Sequence, residues 1–454
     1  MFDLLDDEYM KERALDIKDV GNRLLKHLLG TPEVTLPADT NPYILVAREL
    51  SPSQLVHLNP NHVLGMVTMA GGQTSHSAIM ARALGIPLVS GLEGKLSEPL
   101  ETGDFLIIDG AEGKVIIDPN EEQIAHYTAI ADNLAKHKEQ LQSLASVEAV
   151  TQDGVAMHLS GNISSMNDLR QVLKYGAEGV GLFRTEFLYM NRTTFPEEDE
   201  QYEVYHQIAL AAEGRSVVIR TLDIGGDKEL EYFVLPEEEN PFLGYRAIRI
   251  SLDNKDLFKT QLIAILRASI YGNVKIMYPM ISSLEELRQA NTILSEAKQD
   301  LDARGLKYDP NIKVGIMIEV PAAAQIADLL AVEVDFFSIG TNDLVQYVLA
   351  VDRMNETIAH LYHPYHPAVL RMLRQTVQAA KEAGIPVSVC GEMAGDEKSI
   401  PIWMHLGVTN LSMSPQSLLR LKHKILNTNA SHSRDIGARC YQLSTATEIE
   451  NELA

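Results

Sequence analysis

One stretch of the chain concentrates residue types that could carry a covalent phosphoryl group. Gly71-Gly72-Gln73-Thr74-Ser75-His76-Ser77 sets two glycines and two hydroxyl residues ahead of a histidine, and the apolar run Ala78-Ile79-Met80-Ala81 follows. That spacing predicts a histidine at the start of a helix. Unpaired backbone N–H groups and the helix dipole favour negative charge there. Glycines allow close backbone approach to a phosphate, and Thr74 and Ser75 offer hydroxyl donors. The same residues also suit an ordinary helix N-terminus, because Ser and Thr are routine caps.

A second set of groups recurs at the ends of strand-like runs further along. Arg184-Thr185-Glu186 closes one run, and Arg220-Thr221-Leu222-Asp223 closes the next. Arg246 follows Asn240-Pro241-Phe242-Leu243-Gly244-Tyr245, and Glu319 precedes Val320-Pro321. Asn342 and Asp343 follow Gly340-Thr341, with Arg353 shortly after, and Cys390 leads into Gly391-Glu392-Met393. Several arginines gather in one partly buried place only around something anionic. A guanidinium fork suits phosphate or carboxylate. Two acids on neighbouring strand ends, Glu319 and Asp343, offer the hard oxygen donors of a Mg2+ site completed by water and a substrate phosphate. A small phosphorylated carboxylic acid bound through a metal is the ligand that this set describes. Cys440 matches no such pattern and reads as a core residue. Tyr362, His363 and His366 read as a turn near Pro364 and Pro367.

Stepping along the chain shows which elements must hold these groups. Residues 3–29 read as an amphipathic helix stopped by Gly30. Short runs at Tyr43–Ala47, Val63–Met69, Leu88–Ser90, Phe105–Asp109 and Lys114–Ile117 then make a compact α/β domain. Residues 121–147 are polar, charged and helical, which suits a linker. Beyond about 153, strand-like runs alternate with amphipathic helices at 156–160, 179–183, 216–222, 247–251, 274–279, 314–320, 336–340 and 387–389. Eight such runs close a (β/α)8 barrel, whose active site lies at the C-terminal strand ends. The run 247–251 could equally be helical. The expected division is residues 1–30, then an α/β domain over 31–120, a linker helix over 121–147 and a barrel over 148–454.

Composition narrows the function classes. The chain has 454 residues, room for two or three domains, and a formal net charge of −23, which argues against nucleic-acid binding through a broad basic surface. No apolar run is long enough to span a membrane, and the acidic, polar first residues do not read as a secretory leader. Two distant cysteines, Cys390 and Cys440, build neither a disulfide framework nor a thiolate zinc cluster, which points to a reducing cytoplasm.

The run from Gly71 through Arg82-Ala83-Leu84-Gly85-Ile86-Pro87 resembles the phosphohistidine motif of the phosphoenolpyruvate-utilising enzymes. That family includes Enzyme I of the bacterial sugar phosphotransferase system, phosphoenolpyruvate synthase and pyruvate phosphate dikinase. From about Asp153 to Ala430 the strand-end motifs resemble the Enzyme I branch, and Phe2–Ile117 is similar to its upstream region. The resemblance implies a swivelling phosphohistidine α/β domain, a linker helix and a TIM-type barrel. It implies that His76 is phosphorylated and that Arg184, Arg220, Arg246 and Arg353 surround phosphoenolpyruvate. Glu319 and Asp343 should hold Mg2+, Asn342 should contact the phosphate, and Cys390 should protonate enolpyruvate. The swivelling domain would have to carry His76 to the barrel mouth and away again. A cytoplasmic homodimer formed through the barrel is implied, with the carrier protein HPr as phosphoryl acceptor.

Two departures from the family pattern are visible. Gln73 stands where Enzyme I usually has Arg. The sequence also starts at what resembles the last helix of the HPr-docking subdomain, so poor transfer to HPr is expected. Competing readings are a fragment of phosphoenolpyruvate synthase or pyruvate phosphate dikinase, and a non-catalytic regulatory relative. Nothing in the chain resembles the ATP-binding domain of the first two. The third would be expected to have lost His76, Cys390 or a metal acid, and all are present.

Overall fold

The computed structural model describes residues 41–48, 50, 62–71, 78, 81, 85–95, 100–190, 192–226, 228, 230, 232–355 and 357–454. His76, most of its motif and the helix expected over 3–29 lie outside the described residues. Contacts divide the chain into two units, 1–136 and 137–454.

The first unit holds a parallel three-stranded sheet of β1 (Tyr43–Ala47), β2 (Val63–Thr68) and β3 (Leu88–Val89), in that order. An antiparallel pair, β4 (Leu106–Asp109) and β5 (Lys114–Ile117), completes its described strands. Leu50, Val63, Met66, Ala81 and Ile86 form its core. Gly65 on β2 has a packing reason. A Cβ there would stand 1.9 Å from Cδ1 of Ile108, so glycine gives the Ile108 side chain its room against β2. Gly71, which opens the histidine motif, has φ of +100°, a conformation that glycine adopts without steric cost.

A helix over Glu121–Ser143 follows, shorter than the 121–147 expected and with none of its residues fully buried. Its start is fixed by a reciprocal cap. Asn120 Oδ1 accepts from Gln123 N, and Gln123 Oε1 accepts from Asn120 N.

The second unit is a closed barrel of eight parallel strands. They are β6 (His158–Ile163), β7 (Gly179–Arg184), β8 (Ser216–Arg220), β9 (Asn273–Tyr278), β10 (Lys313–Ile318), β11 (Phe336–Ile339), β12 (Val387–Val389) and β13 (Asn410–Met413). The expected count of eight holds, but its membership changes. The run 247–251 is not a strand. Ile248–Asp253 is a helix, entered from Ala247 at φ +50°, with Ile248, Ile250 and Ser251 buried. Alternating Ala-Ile-Arg-Ile imitates strand periodicity over a span too short to separate the two. The strand missed by sequence is β13, whose Asn-Leu-Ser-Met has no β-branched residue and is only four residues long.

Strand alternation decides what reaches the barrel interior. Successive side chains on a strand point to opposite faces. Leu182, Val218, Met277, Met317, Phe336 and Cys390 form one buried cluster inside the barrel. Two residues further on from Leu182, Val218 and Met317 come Arg184, Arg220 and Glu319. The inward face of β7, β8 and β10 therefore carries its apolar layer first and its charged residue at the C-terminal end.

Candidate active site

Arg184 and Arg220 are register partners at the ends of β7 and β8. They differ in environment, because Arg184 is exposed and Arg220 is buried. Arg220 Nη2 lies 2.5 Å from Glu186 Oε1, and Nη1 lies 3.0 Å from Asp223 Oδ2. Burial alone would disfavour its charge. Asp223, Glu186 and Glu319 together outweigh that and hold the guanidinium firmly protonated.

Asp223 is the hub of the network. Lys228 Nζ donates to its Oδ2 at 2.9 Å, and Arg246 Nη2 donates to its Oδ1 at 3.1 Å. Burial would favour the neutral acid, yet Arg220, Lys228 and Arg246 hold it well below the ordinary carboxylate range. Lys228 also donates to Glu186 Oε1 at 2.9 Å. Arg246 extends the chain of contacts to the second half of the barrel. Its Nη2 donates to Asp343 Oδ2 at 3.2 Å, and its Nη1 donates to the Tyr347 hydroxyl at 3.0 Å. Arg353 Nη2 stands 3.8 Å from Asp343 Oδ1.

The expected arginines therefore do converge, but not in equal roles. Arg246 is 2% exposed and orders Asp343; its terminal nitrogens, like those of the buried Arg220, all have protein partners, though each guanidinium carries a further N–H. Arg184 is the open one. Glu186, Asp223, Lys228 and Tyr347 went unassigned by sequence. The signal was available in part, since Glu186 and Asp223 lie in the same runs as Arg184 and Arg220, and buried arginines need carboxylate partners.

Glu319 follows β10, and its Oε1 accepts from Met280 N at 2.7 Å. Burial first, then the neighbouring charges of Asp343 and Asp223, push its carboxyl up to about 8. Asp343 lies in the first turn of the helix Thr341–Leu349, and its buried Oδ1 has no hydrogen-bond partner. Two crowded acids, one of them with an unsatisfied oxygen, fit a hard divalent cation. No group of three or more His, Cys, Asp or Glu among the described residues is arranged to hold a metal. Gly340 leaves space for this carboxylate, because a Cβ there would stand 2.7 Å from Glu319 Oε2. If Glu319 ligates Mg2+, Gly340→Ala should displace it and raise the Mg2+ concentration needed for half-maximal turnover about tenfold. Circular dichroism should remain unchanged, and an unaltered metal requirement would mean that Glu319 is not a ligand.

The side-chain amide of Asn342 is held at both ends by Glu392. Its Nδ2 donates to Glu392 Oε1 at 3.2 Å, and its Oδ1 accepts from Glu392 N at 2.8 Å. Cys390, two residues before Glu392, is 3% exposed, and its thiol points at Ile339 O across 3.5 Å. Burial pushes this thiol up to about 11, so it is a neutral acid at physiological pH. Two of the residues read as structural from sequence have structural contacts, whereas the Tyr362 hydroxyl donates to Asn342 O at 3.1 Å. His366 Nδ1 accepts from Ala368 N as a helix cap, and Cys440 is buried in the helix Ala430–Cys440.

Among the described residues of the network five cations, Arg184, Arg220, Lys228, Arg246 and Arg353, stand against the carboxyl groups of Glu186, Asp223, Glu319 and Asp343, a net of two positive charges while Glu319 holds its proton and of one once it ionises beside a cation. A bound dication would raise that to three, matching a trianion with one phosphate and one carboxylate.

A parallel barrel with this constellation at its strand ends defines a class, and the sequence agrees. Residues 138–430 match the PEP-binding domain of PEP-utilising enzymes, and residues 40–113 match their mobile domain. The chain belongs to the PEP-utilising enzyme family. Among its relatives, the phosphoenolpyruvate-protein phosphotransferase of Listeria monocytogenes is 50% identical over 455 residues, covering 99% of this chain and 78% of that protein. The protein of the same name from Staphylococcus carnosus is 46% identical over 449 residues, with 99% and 78% covered. A solution structure of Enzyme I shares 42% identity over 30% of this chain and 54% of its own, with a TM-score of 0.25.

Proposed function

We propose that this chain is a phosphoenolpyruvate-protein phosphotransferase. It would move the phosphoryl group of phosphoenolpyruvate to His76, release pyruvate, and then pass the group to a histidine of the small carrier HPr. The observation that carries this reading is the charge balance at the strand ends, a net positive charge beside two acids that suit a dication.

Arg184 and Arg220 would grip the phosphate, with Arg353 adding charge from the far side. Glu319 and Asp343 would hold Mg2+, which when bound neutralises phosphate charge and orients the substrate. A neutral ring nitrogen of His76 attacks phosphorus. A P–N bond forms, the P–O bond breaks, and its electron pair leaves with enolpyruvate oxygen. Asn342 would contact the phosphate from the first turn of the helix Thr341–Leu349, a setting favourable to phosphate oxygens. Cys390 then gives its proton to the methylene carbon. The S–H bond breaks, a C–H bond forms from the enol π pair, and the carbonyl of pyruvate is restored. Sulfur keeps its electron pair as a thiolate until solvent reprotonates it. A homodimer in the cytoplasm is the setting that the reading carries. Among the described residues no helix is long and apolar enough to cross a membrane.

Mixing the chain with phosphoenolpyruvate and Mg2+ should give a burst of pyruvate about equal to the protein present, and no burst in chelator. Continuous phosphate release with no burst would instead mean hydrolysis. Thiol chemistry gives an independent check. With burial holding Cys390 up to about 11, its alkylation by iodoacetamide should be slow at pH 7 and accelerate with rising pH, since the thiolate is the nucleophile. Peptide mapping separates it from Cys440. Fast alkylation of Cys390 at neutrality would contradict a neutral, proton-bearing thiol.

A further inference from the structure

Cys390 is held from two sides, and only one of them belongs to its own neighbouring strand. On one side its N–H donates to Ile339 O at the end of β11, at 3.0 Å. On the other, its carbonyl oxygen accepts from Asn162 Nδ2 at 2.9 Å, although Asn162 is on β6, two strands away around the barrel. The intervening strand, β13, supplies Ser412, whose hydroxyl donates to Asn162 Oδ1 at 2.6 Å. Three neighbouring strand ends are thereby tied in sequence, Ser412 to Asn162 to Cys390.

The local backbone prepares this link. The pairing of β6 with β7 shifts register between Gly161 and Asn162, an irregularity of the kind that re-aims a side chain. Ser412 is fully inside, and glycine at 181 makes its room. A Cβ on Gly181 would stand 2.5 Å from both Cβ and Oγ of Ser412. The amide orientation is set by chemistry, since the reverse orientation would turn Asn162 Oδ1 towards the Cys390 carbonyl oxygen, two acceptors facing each other.

We propose that Asn162, oriented by Ser412, is a positioning residue that fixes the Cys390 backbone so that only rotation of the thiol carries its proton from Ile339 O to the substrate carbon. The inference rests on the reading of Cys390 as the proton donor. Neither Asn162 nor Ser412 is assigned any contact with phosphate or metal. Their loss should impair proton transfer to carbon and spare substrate binding.

The reverse of the protonation step isolates this function. In D2O with Mg2+, the unphosphorylated protein should exchange the methyl hydrogens of pyruvate for deuterium, a reaction followed by NMR. Asn162→Ala should slow exchange about a hundredfold, the scale of a small misplacement of a reacting group. Ser412→Ala should slow it about tenfold, while the KM for phosphoenolpyruvate stays within about threefold in both. Exchange at the wild-type rate in Asn162→Ala would overturn the proposal. So would equal losses in exchange and substrate affinity, which would mark general damage to the barrel. If Asn162→Ala does not fold, Ser412→Ala decides by the same criteria. Cys390→Ser serves as the reference. Should it retain wild-type exchange, Cys390 is not the donor, and the positioning role falls with it. Loss of exchange in Cys390→Ser beside normal exchange in Asn162→Ala would sink the positioning role alone.

Discussion

Arg220→Ala should lose both turnover and stability, each by a large margin. The guanidinium is buried between Glu186 and Asp223, which are themselves buried. Removing one partner of a buried ion network leaves uncompensated charge and typically costs about 3–5 kcal/mol of folding stability. Transition-state stabilisation should fall by about 3 kcal/mol or more, by analogy with loss of a preorganised donor. Arg220→Lys separates the two effects. Lysine keeps the charge, so most of the stability should return. It lacks the planar fork that engages Glu186 and Asp223 while facing a phosphate, so most of the rate should not. Full recovery of rate in the lysine variant would make Arg220 a structural cation only.

Glu319→Gln should abolish metal-dependent turnover and yet stabilise the metal-free protein at alkaline pH. Unfolded, this carboxyl ionises in the ordinary glutamate range. Folded, burial and the nearby Asp343 and Asp223 hold its proton until about pH 8. The folded state thus binds more protons, and the contribution of this residue to stability declines as pH rises from the ordinary carboxylate range to about 8. Glutamine removes that decline. Denaturant melts in chelator at pH 5 and pH 8.5 should show the variant gaining on the wild type as pH rises. Added Mg2+ should then stabilise the wild type and not the variant. Equal stabilisation of both by Mg2+ would place the metal elsewhere. Functional sites commonly keep such destabilising groups, and here the repulsion between acids is what a cation would relieve.

The parts of this molecule that sequence made legible are those where chemistry and periodicity coincide. Arg184, Arg220, Glu319 and Cys390 sit at the ends of β7, β8, β10 and β12, where residue type marks a candidate site. β13 escaped because Asn-Leu-Ser-Met alternates over only four residues and has no β-branching, and its strand identity comes from pairing with β12 and β6. Ala247–Ser251 misled because burial on nearly all sides erases the difference between strand and helix patterns. The pairing of arginines with carboxylates was hidden for another reason. Arg220 meets Glu186 across 34 residues, and Arg246 meets Asp343 across 97. Which acid serves which arginine is decided by barrel closure and not by local pattern. The bridge from Ser412 through Asn162 to Cys390 spans still longer separations and left no trace in any motif.

Labelled phosphoenolpyruvate provides the most direct test of the central claim. The chain is incubated with phosphoenolpyruvate bearing a labelled phosphate and Mg2+, and the labelled peptide is then mapped. The account predicts stoichiometric label that is stable to alkali, lost in mild acid and located on His76. It also predicts no incorporation in His76→Ala, whose barrel should still bind phosphoenolpyruvate. Label that persists in His76→Ala, or that maps to another residue, would contradict it.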